Sequence, residues 1–260
     1  NYSIGYVPGT QTQQALYNND ITKILYYFDA VEDDYVLPET ITEIPAGTFR
    51  AKGGLTGITL HSGVKHIGDE AFKNCGSLAR VTILDSTGEN ITELELGNNV
   101  FQGCDELVEV TLPTRMRKAG SGLFKGCKLL ENVVIPEGVT ELGDEAFSAS
   151  TDYSVNNLKT VSLPSTLEKF GTYATVNGAE ALVSLNAFMG CNFLEEIKVA
   201  EGNTKFFTND GILYNNVYDD NFKAEVQQLI VCPSGKVGTA NVIANITKVW
   251  PNAFKNNTET

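Results

Sequence analysis

The chain has 260 residues, 42% hydrophobic and 20% charged, a balance that excludes a disordered polymer and supplies a sizeable core without staples. Its formal net charge of −13 opposes a phosphate backbone and a polybasic membrane anchor, so nucleic acid is not an expected partner. No apolar run approaches the roughly 18 residues of a spanning helix, so no membrane span is expected, and the polar opening at Asn1 shows no signal peptide.

Residues 1–34 fit no repeat and are expected to form an N-terminal cap segment. Lys23–Phe28 is read there as a strand closing the open end of the stack that follows, because a bare terminal unit exposes apolar side chains and a free strand edge. From Tyr35 onward the chain copies itself. Val36-Leu-Pro-Glu-Thr-Ile41, Val110-Thr-Leu-Pro113 and Val161-Ser-Leu-Pro164 share a strand and turn. Ile58–Phe72 and Val133–Phe147 share a whole unit, and units end on Ala71-Phe72, Val100-Phe101, Leu123-Phe124, Ala146-Phe147, Ala187-Phe188 and Ala253-Phe254. Phe49 to Phe72, Phe101 to Phe124 and Phe124 to Phe147 are each 23 residues, and Pro38, His61, Pro113 and Pro136 each precede their Phe by 11. Two fixed internal distances held over several copies define a repeat array.

Each part of the unit has a physical reason. In Leu107-Val-Glu-Val-Thr-Leu112 the alternation of a short strand puts Val110 and Thr111 on opposite faces. Pro113 lacks a backbone donor and ends the ladder. Pro136-Glu-Gly138 suits a type I turn, Val139–Leu142 restarts an extended segment, and Gly143 turns the chain again. Asp144–Phe147 is expected to be a short helical turn that drops Phe147 into the core, its carboxylates at the positive end of the dipole. A unit this small cannot bury its apolar face alone, so neighbouring coils stack at roughly 4.8 Å per rung.

The stretches Ile135–Phe147 and Ala187–Leu194 resemble the BspA-like leucine-rich repeats of bacterial surface proteins, and the likeness runs over about residues 35 to 256. The resemblance implies a mainly β repeat solenoid: a leucine-rich-repeat right-handed superhelix of short parallel strands with short helical turns. It also implies a cell-surface or secreted protein that contacts host or neighbouring-cell proteins. The expected function is a non-enzymatic interaction module binding an unidentified protein or glycan. The alternative is a passive spacer or scaffold within a longer surface protein.

Within the solenoid, residues 35–260, four inserts break the period, near 85–90, 148–157, 172–184 and 203–228. Insertions in such arrays map to loops, often on the binding face. Asn177-Gly178 after Tyr173-Ala-Thr-Val marks a hairpin in the third. Asn209–Asn215 and Gln228–Pro233 read as two strands joined by a loop near Val217–Lys223. Tyr153, Tyr173, Tyr214 and Tyr218 lie in or beside inserts as aromatic anchors, with packing of their own loops as the competing role. No capping pattern follows Phe254; either the last coil caps itself with polar residues or the natural chain continues.

No catalytic, cofactor-binding or metal-binding residue is assigned, and no cofactor is expected. Cys75, Cys104, Cys127 and Cys191 each sit three residues after a repeat Phe, which makes them buried, free core thiols; Cys232 stands apart. His61 and His66 occupy the Pro and Glu positions of their unit, five apart and unlike a compact ligand pair, and are expected as exposed strand or turn residues. Asp69-Glu70 and Asp144-Glu145 are one repeat position; Asp33-Asp34, Glu195-Glu196 and Asp219-Asp220 are further pairs. None requires a glycosidase-type arrangement.

Overall fold

A computed structural model describes residues 2–6, 13–28, 33–86, 91–150, 156–176, 178–219 and 224–255. Its regular part is two rows of short parallel strands, one on each of two sides of a stack of coils. The first row runs Asp33–Val36, Leu55–Leu60, Arg80–Ile83, Glu109–Thr111. It resumes at the same repeat phase with Asn132–Val134, Thr160–Leu163 and Glu196–Val199. The second row runs Glu43–Ile44, His66–Ile67, Leu94–Leu96, Met116–Ala119, Glu141–Leu142, Lys169–Phe170. Strand alternation sorts its residues. Ile44, Ile67, Leu96, Ala119, Leu142 and Phe170 are buried, whereas their neighbours Glu43, His66, Glu95, Lys118, Glu141 and Lys169 line up outward as a charged row.

The third side corrects the expected helical turns. Among the described residues these segments are non-helical turns, and the fold contains no helix. Glu70 and Glu145 sit at φ 57 and 56, a left-handed conformation that a right-handed helix cannot contain. The Phe amides also bond outward rather than along their own segment. Phe72 N–H donates to Val100 O at 2.9 Å, Phe124 to Ala146 O at 2.7 Å and Phe147 to Ala187 O at 3.0 Å. The acidic residues therefore face no helix dipole. Asp69 instead accepts the Asn98 amide of the next coil at 2.7 Å, and Asn98 Oδ1 accepts the Ser121 amide at 2.9 Å. At the adjoining corner Gly143 lies so close to the preceding coil that a Cβ would collide with the Ser121 amide. Close approach, not a special dihedral, calls for glycine there.

The core is a column of parallel rings. Successive centroids from Phe49 through Phe72, Phe101 and Phe124 to Phe147 are 4.9, 5.4, 5.7 and 6.2 Å apart, and Phe188 follows Phe147 at 5.4 Å. These distances lie in the favourable range for offset aromatic pairs. Phe254 does not join the column. It is 39% exposed, and Trp250 and Ala253 are the buried residues of its unit. At the other end Tyr27 and Tyr35 pack on Phe49, with centroids at 5.0 and 5.6 Å. Tyr27 ends a three-stranded antiparallel sheet of Tyr2–Tyr6, Gln13–Asn18 and Ile24–Tyr27. Tyr17 and Tyr35 share a hydroxyl hydrogen bond of 2.5 Å, which ties that sheet to the first coil.

Two charged side chains are buried among the described residues, Arg115 and Asp144, and Arg115 is the more deeply buried. Arg115 is fully buried and donates to four backbone carbonyls: Val64 at 2.5 Å, Thr92 at 3.2 Å, Leu84 at 3.3 Å and His61 at 3.4 Å. Leu84 and Thr92 belong to the coil that widens after Leu84, and His61 and Val64 to the coil before it, so the guanidinium bridges the two. Burial lowers the Arg115 pKa. Beside it the Asp85 carboxylate accepts Thr114 Oγ1 and N–H at 2.6 and 2.9 Å, and these bonds, the hydroxyl first, hold its pKa down. Residues 87–90 of this insert lie outside the described residues.

Candidate functional site

Two elements break the coil pattern and face one another. The first is an antiparallel hairpin, Thr172–Val176 with Ala179–Ser184, in which Gly178 supplies a φ of +83 at the turn; Asn177 lies outside the described residues. Asp144 clamps its base. This buried carboxylate accepts Ser184 Oγ at 2.6 Å and the Asn186 amide at 2.5 Å. The second element is a four-stranded sheet of Phe206–Asn209, Ile212–Asp219, Ala224–Val231 and Ile246–Val249. Its last strand joins in parallel. Register puts Phe206, Asn215, Gln228 and Lys248 in one row across it.

The hairpin and the sheet enclose a cleft of about 600 Å³. Tyr173 and Glu180 line it from the hairpin, and Lys169 from the last rung of the charged row; Asn215, Gln228 and Trp250 line it from the sheet. Lys169 Nζ donates to Glu180 at 2.8 Å and lies 5.8 Å from the Tyr173 ring centroid. The bond to Glu180 raises the Lys169 pKa, and burial raises that of Tyr173. Lys248 Nζ sits 3.9 Å over the Trp250 ring, whose Nε1–H donates to Gln228 Oε1 at 2.8 Å. Asn215 is 5% exposed, and its Oδ1 has no hydrogen-bond partner among the described residues. A buried acceptor left unpaired costs about 1–3 kcal/mol; among the described residues Ser86 Oγ, beside the widened coil, is the other buried side-chain atom without a partner.

The tyrosines expected as anchors fare differently. Tyr173 lines the cleft. Tyr214 is fully buried, stacks on Phe207 at 5.1 Å and accepts the Ile243 amide at 3.3 Å, so it belongs to the core of the terminal sheet. Tyr153 and the side chain of Tyr218 lie outside the described residues, as do residue 220 of the Asp219-Asp220 pair and residues 221–223 of the connecting loop. The strand beginning at Ile212 runs past Val217 to Asp219, further than the sequence pattern implied. Trp250, Asn215, Gln228 and Lys248 carry no repeat signal. Only register across the sheet assembles them.

The repeat cysteines and His61 have structural partners. All five cysteines are buried thiols outside any disulfide. Sγ of Cys75, Cys104, Cys127 and Cys191 donates to the carbonyl of an earlier repeat Phe, at 2.9, 3.2, 3.1 and 3.1 Å. Burial raises the Cys104 and Cys127 thiols and pushes Cys191 up to about 12, which disfavours the nucleophilic thiolate. His61 is half-buried, not exposed. Its Nδ1 accepts the Gly63 amide at 3.1 Å, leaving Nε2–H to donate to Ile41 O at 2.9 Å. His66 is exposed. Among the described residues no three His, Cys, Asp or Glu side chains converge as a metal site would require. No helix among them is long and apolar enough to cross a membrane.

Parallel strand rows around stacked phenylalanines define a leucine-rich repeat protein. The BspA type leucine rich repeat region matches in six copies over residues 19–154 and 90–206, and the chain belongs to this family. Its fold is similar to a leucine rich cell surface protein from Faecalibacterium prausnitzii (TM-score 0.53, 23% identity, 95% of this chain and 66% of that one). It is also similar to the pneumococcal vaccine antigen PcpA (TM-score 0.56, 18% identity, 97% and 59%). A leucine-rich repeat protein from Eubacterium ventriosum gives a TM-score of 0.52 at 19% identity over 78% and 45%. The chain spans less than two thirds of the length of each of these structures. A comparison with curated proteins returns no match. Family membership places the chain among repeat proteins of interaction or scaffold type.

Proposed function

We propose that the protein is a non-enzymatic interaction module of the bacterial cell surface, or a secreted one, that binds a protein or glycan partner at the cleft between the hairpin and the terminal sheet. On this reading residues 1–34 are a cap, and residues 35–260 are a right-handed solenoid decorated by the inserts near 85–90, 148–157, 172–184 and 203–228. The single observation that carries the reading is the cleft itself. It is about 600 Å³, within the size range of ligand pockets, and two departures from the repeat build it.

A binding screen against extracellular-matrix proteins and glycans tests this, run in parallel with a variant in which residues 173–183 are replaced by two glycines. Binding by the intact chain and its loss in the variant is the expected result. Equal binding by both would move the site elsewhere on the coils. No binding by either would favour the spacer role, in which the repeats only set reach.

A further inference from the structure

Resting on the reading of the cleft as the interaction site, we propose that its ligand is an acidic saccharide, a uronic-acid-type sugar whose carboxylate lies against Lys205 and Lys248.

Charge is the first ground. The chain is acidic by 13 charges, yet three lysines and two glutamates line the cleft: Lys169, Lys205 and Lys248 against Glu168 and Glu180. Lys169 is occupied by Glu180. Glu168 remains as an exposed acid. Lys205 and Lys248 are exposed, line the cleft and have no carboxylate partner among the described residues. Two unneutralised ammonium groups facing one cavity select an anion and reject a cation.

The amides are the second ground. Gln228 has its oxygen on the Trp250 indole, which leaves its N–H groups as donors toward the ligand. Asn215 brings the opposite need, an acceptor without a donor. A sugar hydroxyl is donor and acceptor at once, so neighbouring hydroxyls meet both amides. The third ground is what the cleft lacks. Its aromatic floor is closed: Phe206 is 1% and Trp250 8% exposed, with Lys248 over the indole. A protein partner draws its affinity from large apolar anchors seated in open pockets, and the floor of this cleft offers none. A polar, hydroxyl-rich anion fits this lining, because its hydroxyls supply the donor that Asn215 Oδ1 lacks and the acceptor that Gln228 N–H needs.

The chain has one tryptophan, Trp250, so its fluorescence reports on the cleft alone. The intact protein is titrated with three probes: a tetrasaccharide of alternating glucuronic acid and N-acetylglucosamine, the uncharged N-acetylglucosamine tetrasaccharide, and a hexaglutamate peptide. Calorimetry runs in parallel. The acidic tetrasaccharide is expected to shift Trp250 emission and to weaken as salt rises. Lys205→Gln, an exposed change, should weaken it about tenfold, the value of one charge-assisted hydrogen bond. Equal affinity for the neutral sugar, or stronger binding of the peptide at Trp250, would overturn the acidic-saccharide assignment and leave the cleft as a binding site. Silence from all three probes would also overturn it. If the screen with the hairpin variant then still shows hairpin-dependent binding, the interaction module survives with a different ligand; hairpin-independent binding removes the cleft as well.

Discussion

The coils from Tyr35 to Phe147 and the region from Thr172 to Trp250 solve burial in opposite ways. In the coils every rung repeats its neighbour's answer: ring on ring, thiol to Phe carbonyl, acid or amide to the next coil's N–H. In the terminal region the strands turn antiparallel, the Phe column ends, and a buried amide oxygen is left without a donor. Where the coils are regular, stacking satisfies polar groups by translation; the exception among their described residues, Ser86 Oγ, sits where the coil widens. Where translation fails, facing surfaces of different origin enclose a cavity. The largest test of this contrast is in the column. Phe147→Ala should cost about 3–5 kcal/mol by chemical denaturation, since a ring packed on both faces leaves a cavity the rigid stack cannot close. Phe254→Ala, outside the column, should cost about 0.5 kcal/mol or less. Similar costs for both would erase the distinction.

Legibility in the sequence follows the same divide. A repeated unit states its core several times, so the Phe and Cys phases and the strand before Pro113 were readable from spacing, and the family from the resemblance of Ile135–Phe147 and Ala187–Leu194. The turns were harder. Asp-Glu-Ala-Phe suits the first turn of a helix as well as a β-type turn; the outcome depends on whether the Phe amide finds a carbonyl in its own segment or one coil along, and the stack supplies the second. Arg115 was invisible because a single arginine has no period, and its four acceptors are spread from His61 to Thr92. The cleft was only half readable. Tyr173 stood out in its insert, but Asn215, Gln228 and Lys248 become neighbours solely through pairing of strands whose register no local pattern announces.

Arg115 gives the next largest effect. Arg115→Leu keeps bulk but removes the donors for four carbonyls, and loss of about 2–3 kcal/mol is expected in a denaturant titration. Little or no loss would mean that water enters the widened coil and satisfies those groups, making this coil less regular than its neighbours.

A smaller effect comes from pH. The thiols of Cys104, Cys127 and Cys191 have raised pKa values in the fold, chiefly through burial. Below about pH 9 both folded and unfolded thiols are protonated and their contribution is fully present. Above it the unfolded chain releases protons that the folded chain retains. Each thiol then removes up to about 1.4 kcal/mol of stability per pH unit, for Cys191 until its folded value near 12. Stability of the parent should therefore fall more steeply between pH 9 and 10.5 than that of Cys127→Ala, which lacks one such thiol. Equal slopes would place Cys127 in contact with solvent.

The smallest effect is the one that separates the two regions most sharply. Replacing residues 173–183 by two glycines removes the hairpin but keeps Ser184 and Asn186, the groups that Asp144 holds. The loss in packing is confined to partly buried residues such as Leu182, and loops of this kind change length at little entropic cost, so about 1 kcal/mol of destabilisation is expected. The column beneath should be untouched, because Phe147 and Phe188 stack directly on one another across the insertion. A thermal or denaturant midpoint close to that of the parent, together with lost binding, would show the hairpin to be surface built for a ligand. A cooperative collapse of the whole chain would instead make it part of the stack, and the division between coils that carry stability and a terminal region that carries recognition would fail.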